Sequence, residues 1–349
     1  MKDIKNVIAL FLVIALFSSC IAVPASATEF GKTIIGQTQI ADIVSTEFPD
    51  AYILCEYYNE SEYRISESDG KIVINIDRGA SSSTDNRTLT IRDPALAQAL
   101  ENNKAEIIGI INATAFFEEE FAITDNRGQD SIIIKCSKLL SQEEVISIGI
   151  ENFGCTNQPL PRSSSTTYNS RGRLDITFVM ANLTVSGYES AYSLTAYSSW
   201  DGMPLFPGLG GSNDPGLGDD YMGFTWGGEY DYYNSSASAT REILGNQTVY
   251  LADALPGSGL VWSFEEFNYY QGVGYDYVTD ATCSCNIRKA HLSGGGNTTS
   301  TVFKYIHTYQ QHSGSLSISA GAEGISASYS LSGVSNQWSL VCTFNSMPY

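Results

Sequence analysis

Alternation of apolar and polar residues is the clearest pattern in the chain, and it lies in the second half. In 273–287 the odd-numbered residues are mostly apolar and their even-numbered neighbours mostly polar. The ranges 222–232 and 338–344 alternate in the same way. Successive side chains of a strand point to opposite faces, so the pattern predicts antiparallel strands with one face toward a core. Residues 173–349 are therefore predicted to form an all-β antiparallel sandwich or jelly-roll domain.

The first half of the chain mixes strand and helix patterns. Runs rich in β-branched residues at 71–76 and 131–136 predict strands. Asp93 precedes a proline and a run of helix formers, so it predicts the start of a helix. Ser141 opens a Ser-Gln-Glu-Glu capping box, which predicts a second helix. Residues 28–155 are therefore predicted to form a small α+β domain.

A segment rich in Ser, Thr and Pro separates these two regions. Residues 156–172 contain two prolines and a run of Ser and Thr, and they lack apolar periodicity, as is typical of a linker. All four tryptophans of the chain follow the start of this segment. Because the chain is longer than one hydrophobic core usually serves, the sequence predicts two domains joined by this linker.

The N-terminus has the pattern of a secretory signal peptide. Two lysines precede the apolar run 7–17, which is too short to span a bilayer, and an Ala-Ser-Ala motif ends at Ala27. Residues 1–27 are therefore predicted to be a signal peptide, which makes the protein secreted or cell-surface. Lipid anchoring through Cys20, which follows a poor lipobox, is the less favoured alternative. No other apolar run is long enough to predict a transmembrane helix after signal cleavage.

Composition and charge restrict the kind of molecule that the protein is expected to bind. The chain carries 19 Lys plus Arg against 38 Asp plus Glu, a formal charge of −19, so no basic stripe is available for nucleic acid. A hydrophobic fraction of 43% excludes a disordered chain. A charged fraction of 16% with 21 tyrosines and 31 glycines is typical of an extracellular β protein. The expected partner is an extracellular polymer or a cell-envelope component.

Cysteine usage predicts disulfide bonds. The seven cysteines become six once the signal peptide is removed, and an even number in an exported protein favours a disulfide framework. Cys283 and Cys285 are two residues apart on a predicted strand, so both point into the core and cannot bond each other. Cys342 is a plausible partner for one of them, and Cys155 for the other. The pairing is left open.

Motifs for catalysis are mostly missing. The chain has no G-x-S-x-G elbow, no H-E-x-x-H helix, no phosphate-binding loop and only three histidines. His307 is expected to be a partly buried strand residue rather than a base. Carboxylate pairs for glycoside cleavage are present in the runs 118–120 and 265–266, and at Asp201 or Glu229 beside tryptophans. A solvated acidic edge is the favoured interpretation of these runs.

A glycine-rich acidic loop between 201 and 220 raises the possibility of a calcium site. Carboxylate and carbonyl oxygens are the ligands that Ca²⁺ prefers, and the glycines allow tight turns. The spacing differs from that of an EF-hand, so an ordinary acidic loop is the alternative. Four residues are the candidate ligands: Asp201, Asp214, Asp219 and Asp220.

Aromatic side chains offer a second kind of candidate site. Rings beside loops can stack on sugars, whereas Trp226 lies on an apolar stripe and is predicted to be core. The candidate ligand-binding residues are Trp200, Trp262, Tyr269 and Tyr270. The leading hypothesis is therefore an exported, non-catalytic binding protein, with carbohydrate or another extracellular polymer as its ligand. The alternatives are a carbohydrate-active hydrolase or lyase using paired carboxylates, and a structural envelope protein.

Overall fold

The computed structural model of the protein describes part of the chain, and every structural statement below concerns that part. The described residues are 41–58, 63–68, 71–76, 87–91, 93–125, 130–153, 167–202, 206–207, 218–270, 274–292, 298–309, 315–320, 327–332 and 336–348. Within them the fold is mostly antiparallel β-structure with two α-helices. The β-rich character predicted from the sequence is confirmed.

The strands are numbered in chain order. The first group is β1 (Ala41–Val44), β2 (Ile53–Tyr58), β3 (Tyr63–Ser68), β4 (Lys71–Ile76), β5 (Arg87–Thr90), β6 (Ala105–Asp125), β7 (Asp130–Leu139), β8 (Thr167–Leu183), β9 (Ser190–Asp201) and β10 (Phe206–Pro207). The second group is β11 (Asp219–Trp226), β12 (Asp231–Arg241), β13 (Gly245–Gln247), β14 (Tyr250–Leu255), β15 (Gly259–Glu265), β16 (Phe267–Tyr270), β17 (Gly274–Lys289), β18 (Thr298–Thr308), β19 (Ser315–Ala320), β20 (Ala327–Ser332) and β21 (Gln337–Pro348). The helices are Pro94–Glu101 and Gln142–Ile148, and a 3₁₀ turn covers Ile150–Asn152.

Two large sheets make up the body of the described fold. The six-stranded sheet has the order β1-β21-β18-β11-β15-β14. The ten-stranded sheet follows the path β13-β12-β17-β9-β8-β6-β2, with β10 and β16 also paired to β17 and β7 also paired to β6. Two small sheets, β3-β4-β5 and β19-β20, complete the described set.

The two large sheets pack face to face through aromatic side chains, as in a β-sandwich. Phe178 on β8 lies 4.8 Å from Phe344 on β21 and 5.6 Å from Phe224 on β11, measured between ring centroids. Trp226 is buried, as predicted, and Trp338 joins it in the same core. Fully burying a large apolar side chain contributes about 1.5–3 kcal/mol, so these ring contacts hold the sheets together.

One sheet contains strands from both of the domains that the sequence predicts. β6 pairs with β8 over a long register from Ala105↔Leu183 to Ala122↔Thr167. β8 begins inside the predicted linker 156–172, of which residues 154–166 lie outside the described part. The prediction of a separate α+β domain is not confirmed, because β6 is hydrogen-bonded along both edges and ties the first half of the chain to the second.

Both helix starts are confirmed. Asp93 Oδ1 accepts a hydrogen bond of 2.6 Å from the Leu96 N–H. Ser141 and Glu144 form the predicted capping box at the second helix. The first helix packs Leu96 and Leu100 onto the outer face of the ten-stranded sheet, with neighbours on β6 and β8. It covers that part of the face and leaves the β12 side open.

The predicted disulfide framework is not present among the described cysteines. Cys283 and Cys285 are both buried on β17, as the alternation predicts, and Cys342 is buried on β21 of the opposite sheet. None of these three, nor the exposed Cys136, forms a disulfide. Cys20 and Cys155 lie outside the described residues.

Among the described residues, no helix combines the length and apolar character needed to cross a membrane. The small β19-β20 hairpin buries a further apolar cluster. Tyr329 and Leu331 of that hairpin cover Val261 and Ile306 on the outer face of the six-stranded sheet.

Candidate functional site

A cluster of ionisable side chains lies in the core between the two large sheets. Glu119, Asp220 and His307 are 0% exposed and Glu266 is 2% exposed. We call these four residues the buried centre. Charged groups are seldom fully buried unless they are paired or bind a metal, because removing them from water is costly. Three carboxylates around one imidazole therefore require a physical explanation.

The alternation of side chains along strands places one member of each acidic run in the interior. On β6, Glu119 points inward, whereas its neighbour Glu118 bonds Arg171 at 2.7 Å on the other face. On β11, Asp220 points inward next to a partly exposed aspartate. Glu266 lies buried between β15 and β16, directly after an exposed glutamate. The centre thus collects one carboxylate from each of three runs.

His307 on β18 stands between these carboxylates. Its Nδ1 lies 3.1 Å from Asp220 Oδ1 and 3.5 Å from Glu266 Oε2. Its Nε2, on the other side of the ring, lies 2.9 Å from Glu119 Oε1, but the contact is not aligned as a hydrogen bond. The sequence predicts a partly buried histidine, whereas the structure buries it completely, because β18 lies in the middle of its sheet.

Hydrogen bonds from β18 and β9 fix the carboxylate of Asp220. The Tyr305 hydroxyl donates to Asp220 Oδ2 at 2.6 Å, and the Trp200 indole N–H donates to that hydroxyl oxygen at 2.9 Å. The backbone N–H of Thr308 donates to Asp220 Oδ1 at 3.1 Å. Each carboxylate oxygen has two lone pairs, so Asp220 keeps acceptor capacity toward His307.

A second set of hydrogen bonds fixes Glu119. The Ser137 hydroxyl on β7 donates to Glu119 Oε1 at 2.9 Å, and the Trp338 indole N–H donates to the Ser137 oxygen at 2.9 Å. The Trp338 ring also lies 4.8 Å from the ring of His307. Side chains from both sheets therefore hold the imidazole and the carboxylates in one arrangement.

The electrostatics of the centre favour protonated forms. Burial raises the pKa of Glu266 well above its ordinary value, and the charges of Asp220 and Glu119 act in the same direction. Burial alone would lower the pKa of His307, but the carboxylates of Asp220 and Glu266 outweigh it and raise that pKa. Glu119 Oε2, Glu266 Oε1 and His307 Nε2 are buried without a hydrogen-bond partner among the described residues.

The structure does not assemble the four predicted calcium ligands. Asp201 at the end of β9 forms an ion pair with Arg173 at 3.1 Å. Asp219 and Asp220 are consecutive strand residues, so they point to opposite faces of β11. Asp214 lies outside the described residues. Of the three that the structure describes, Asp220 alone lies in the buried centre.

The predicted aromatic platform is not formed by the two tryptophans. Trp200 and Trp262 are 3% and 5% exposed, so neither presents a ring to solvent. Each belongs to the inward row of its strand, where the ring packs on other core aromatics. The strand β16 that carries Tyr269 and Tyr270 is described, but the side chains of these two residues are not.

An exposed aromatic site lies instead on the outer face of the ten-stranded sheet. The guanidinium of Arg288 on β17 stands 4.1 Å from the ring centroid of Tyr188 and 4.5 Å from that of Tyr233 on β12. Tyr233 is 37% exposed. A guanidinium over an aromatic face contributes about 0.5–1 kcal/mol at an exposed site, so the stack holds both rings in place.

Uncharged polar residues continue this outer face beyond the stack. β12 is exposed along much of its length, and alternate cross-strand partners on β17, from Thr282 to Asn286, are hydroxyl or amide residues. The Ser236 and Ser284 hydroxyls hydrogen-bond each other at 2.9 Å. We call the open part of β12 and β17 the outer face. Its cross-strand pairs are Asn234 with Asn286, Ser236 with Ser284, and Ser238 with Thr282.

Comparisons with known proteins add little to this geometry. No protein-family model matches the chain, and no curated protein matches it. Among solved structures, the N-terminal domain of the Streptococcus gordonii adhesin Sgo0707 aligns over 90% of this chain and 83% of its own, at 6% sequence identity and a TM-score of 0.12. A likeness of this size carries no argument about fold or function.

Proposed function

We propose that the protein is an exported, non-catalytic binding protein of the cell surface or the extracellular space. In this proposal the outer face binds a carbohydrate or another extracellular polymer. The observation that carries it is the exposed stack of Tyr188, Arg288 and Tyr233 beside rows of hydroxyl and amide side chains. Export is proposed on the signal-like pattern of residues 1–27.

The chemistry of the outer face suits a neutral polymer. A tyrosine side chain combines an apolar ring face with a polar hydroxyl group. A sugar ring can lie on that face while its own hydroxyl groups form hydrogen bonds with Ser and Asn side chains. The paired rows of β12 and β17 carry no charged side chain of their own, although Asp93 accepts a hydrogen bond from Ser284 and Arg288 stands in the stack, and the chain as a whole has a formal charge of −19. A neutral chain can approach without electrostatic repulsion, whereas a polyanion would be repelled.

The hydrolase alternative is less well supported by the geometry. The inward-facing members of its carboxylate runs, Glu119 and Glu266, are at most 2% exposed, so a sugar bond could not reach them in this conformation. Their outward-facing neighbours lie on the opposite side of their strands. The same experiment nevertheless distinguishes a hydrolase from a binding protein, because only a hydrolase releases soluble sugar.

Co-sedimentation with insoluble polysaccharides tests the proposal. The protein lacking residues 1–27 would be mixed with cellulose, chitin and isolated cell walls, and the bound fraction and released sugar would be measured. We expect binding without sugar release, and a loss of affinity of about tenfold in Tyr233→Ala, which corresponds to about 1.4 kcal/mol. The matched control is Tyr250→Ala, which removes a 61% exposed tyrosine from β14 of the other sheet.

Each outcome bears on the proposal. Binding that Tyr233→Ala weakens and Tyr250→Ala leaves unchanged would support the outer face as the binding site. Equal loss in both variants would contradict it, and absence of binding to every polymer would favour the structural envelope protein. Fractionation of the producing cells tests the location, and a Cys20→Ala variant distinguishes a lipid anchor from a cleaved signal peptide.

A further inference from the structure

The spacing of ligand atoms in the buried centre matches that around a metal ion. One ligand atom each from Asp220, Glu266 and His307 lie within 4.8 Å of one another. The distances from His307 Nδ1 to the two carboxylates are 3.1 and 3.5 Å. Metal bonds to oxygen and imidazole nitrogen are about 2.0–2.2 Å long, which places neighbouring ligand atoms of a tetrahedral ion about 3.4 Å apart. The two distances from His307 are therefore close to coordination spacing, and the ligand atoms of Asp220 and Glu266 lie no more than 4.8 Å apart.

The charge of the centre leaves room for a cation. Three carboxylates carry −3 when ionised, and a histidine that binds a metal is neutral, so no side chain of the buried centre supplies a positive charge in the metal-bound form. Among the described residues no Lys or Arg forms an ion pair with Glu119, Asp220 or Glu266. Glu266 Oε1 is buried and has no hydrogen-bond partner there. A divalent cation would offset two of the three negative charges, and the unpartnered Glu266 oxygen is available to bind it.

The other side of the imidazole has the arrangement that commonly orients a metal-bound histidine. Such a histidine usually presents its second ring nitrogen to a carboxylate, which fixes the ring and makes it a better ligand. Here Glu119 lies 2.9 Å from Nε2, and Ser137 and Trp338 hold Glu119 in turn. Tyr305 and Trp200 hold Asp220 in the same manner.

We propose that the buried centre is a metal site for one divalent first-row transition ion such as Zn²⁺, Mn²⁺ or Fe²⁺. His307 Nδ1, Asp220 and Glu266 are the ligands, and Glu119 is the positioning residue behind His307. Calcium fits less well, because it takes six to eight oxygen ligands and these side chains offer two carboxylates and a nitrogen. The ion would join β11 and β18 to the β15–β16 connection. This site is separate from the outer face and does not depend on its function.

Metal titration of the chelator-treated protein tests the site. Calorimetry with Zn²⁺, and fluorescence titration with Mn²⁺, would be compared with the same titrations using Ca²⁺. We expect one transition ion per chain and weaker or no binding of Ca²⁺. The rings of Trp200 and Trp338 lie 5.2 and 4.8 Å from that of His307, so bound Mn²⁺ is expected to quench tryptophan fluorescence.

Substitutions of a proposed ligand, of the positioning residue and of a neighbouring aspartate show where the ion binds. We expect Asp220→Asn to weaken binding at least a hundredfold, and Glu119→Gln to weaken it about tenfold to a hundredfold, as outer-shell changes do. The matched control is Asp219→Asn, which makes the same change one residue away on the opposite face of β11. Circular dichroism of each metal-free variant shows whether it is folded.

The outcomes distinguish metal binding in the buried centre from metal binding in the acidic loop. Loss of Zn²⁺ binding in Asp220→Asn with retention in Asp219→Asn supports the buried centre. Equal binding in both variants, or loss only in Asp219→Asn, overturns it, and the latter result would favour the acidic loop. If Asp220→Asn does not fold, the wild-type protein decides: quenching that saturates at one Mn²⁺ per chain supports the site, and its absence overturns it.

Discussion

Ser137 connects the buried centre to the six-stranded sheet, and its replacement tests whether these hydrogen bonds stabilise the fold. Its hydroxyl donates to Glu119 Oε1 and accepts from the Trp338 indole N–H, both at 2.9 Å. Ser137 is 1% exposed, so water cannot replace either bond in the folded protein. The perturbation is Ser137→Ala, which removes one oxygen atom and leaves the rest of the side chain in place.

The expected cost follows from the two groups that lose a partner. A buried donor or acceptor left unsatisfied costs about 1–3 kcal/mol, and a charged acceptor costs more. The indole N–H and the Glu119 oxygen together give about 2–6 kcal/mol. We expect a loss in the lower half of that range, about 3 kcal/mol, because small shifts of the side chains recover part of the cost. At about 2 °C per kcal/mol for a chain of this size, Tm would fall by about 6 °C.

Urea unfolding, followed by fluorescence with a metal chelator present, measures the difference directly. The matched control is Ser147→Ala, the same substitution at an exposed helical position, which is expected to change the free energy of unfolding by less than about 0.5 kcal/mol. If Ser137→Ala unfolds within about 0.5 kcal/mol of this control, the buried hydrogen-bond chain does not stabilise the fold.

Three further predictions concern packing, thiol reactivity and pH. Gly172→Ala is expected to cost about 2 kcal/mol or more in urea unfolding, because a Cβ there would overlap the Phe117 ring and the backbone of Asp201. Gly187→Ala has open space around it but a φ of +83°, so it should cost only the backbone strain of about 1 kcal/mol. A maleimide probe followed by mass spectrometry should label the exposed Cys136 quickly in the native protein. The same probe should label three buried cysteines, whose pKa burial raises, only after unfolding: Cys283, Cys285 and Cys342. The bond to Lys138 and the capping box lower the pKa of Glu144 below 4.5, so its stabilising contribution is present above that value and lost as pH falls through the lowered pKa. Thermal unfolding of wild type and Glu144→Gln should therefore differ most near neutral pH and converge in acid; a constant difference would contradict this.

The sequence correctly predicted the features that depend only on residues close together in the chain. Alternation along a strand placed Cys283, Cys285 and Ile287 on the buried face, and the structure confirms this. Asp93 and Ser141 cap their helices as predicted, because a cap depends on residues at most three positions away. The predicted disulfides, in contrast, depended on where distant strands would lie, and Cys283, Cys285 and Cys342 form none. Strand pairing across the chain also places the start of β8 inside the predicted linker.

The buried centre shows what the sequence could not determine. The sequence singled out the runs containing Glu119 and Glu266, and it named Asp220 and His307, but as separate features. Alternation requires one member of each acidic strand run to point inward, yet it does not say which face of the strand becomes the core. That choice is made when β6, β11 and β18 pair with neighbours far away in the chain.

The amino-acid sequence by itself therefore determined which residues share a strand face, where the two helices are capped and that the chain is acidic, and it predicts export. Only the tertiary structure decided that three carboxylates meet one imidazole, and that tyrosines rather than tryptophans face solvent on an open sheet. The physical reason is the distance along the chain over which each effect acts. Propensity and capping act over a few residues, whereas sheet packing brings together side chains that are more than a hundred residues apart, such as Trp200 and Tyr305.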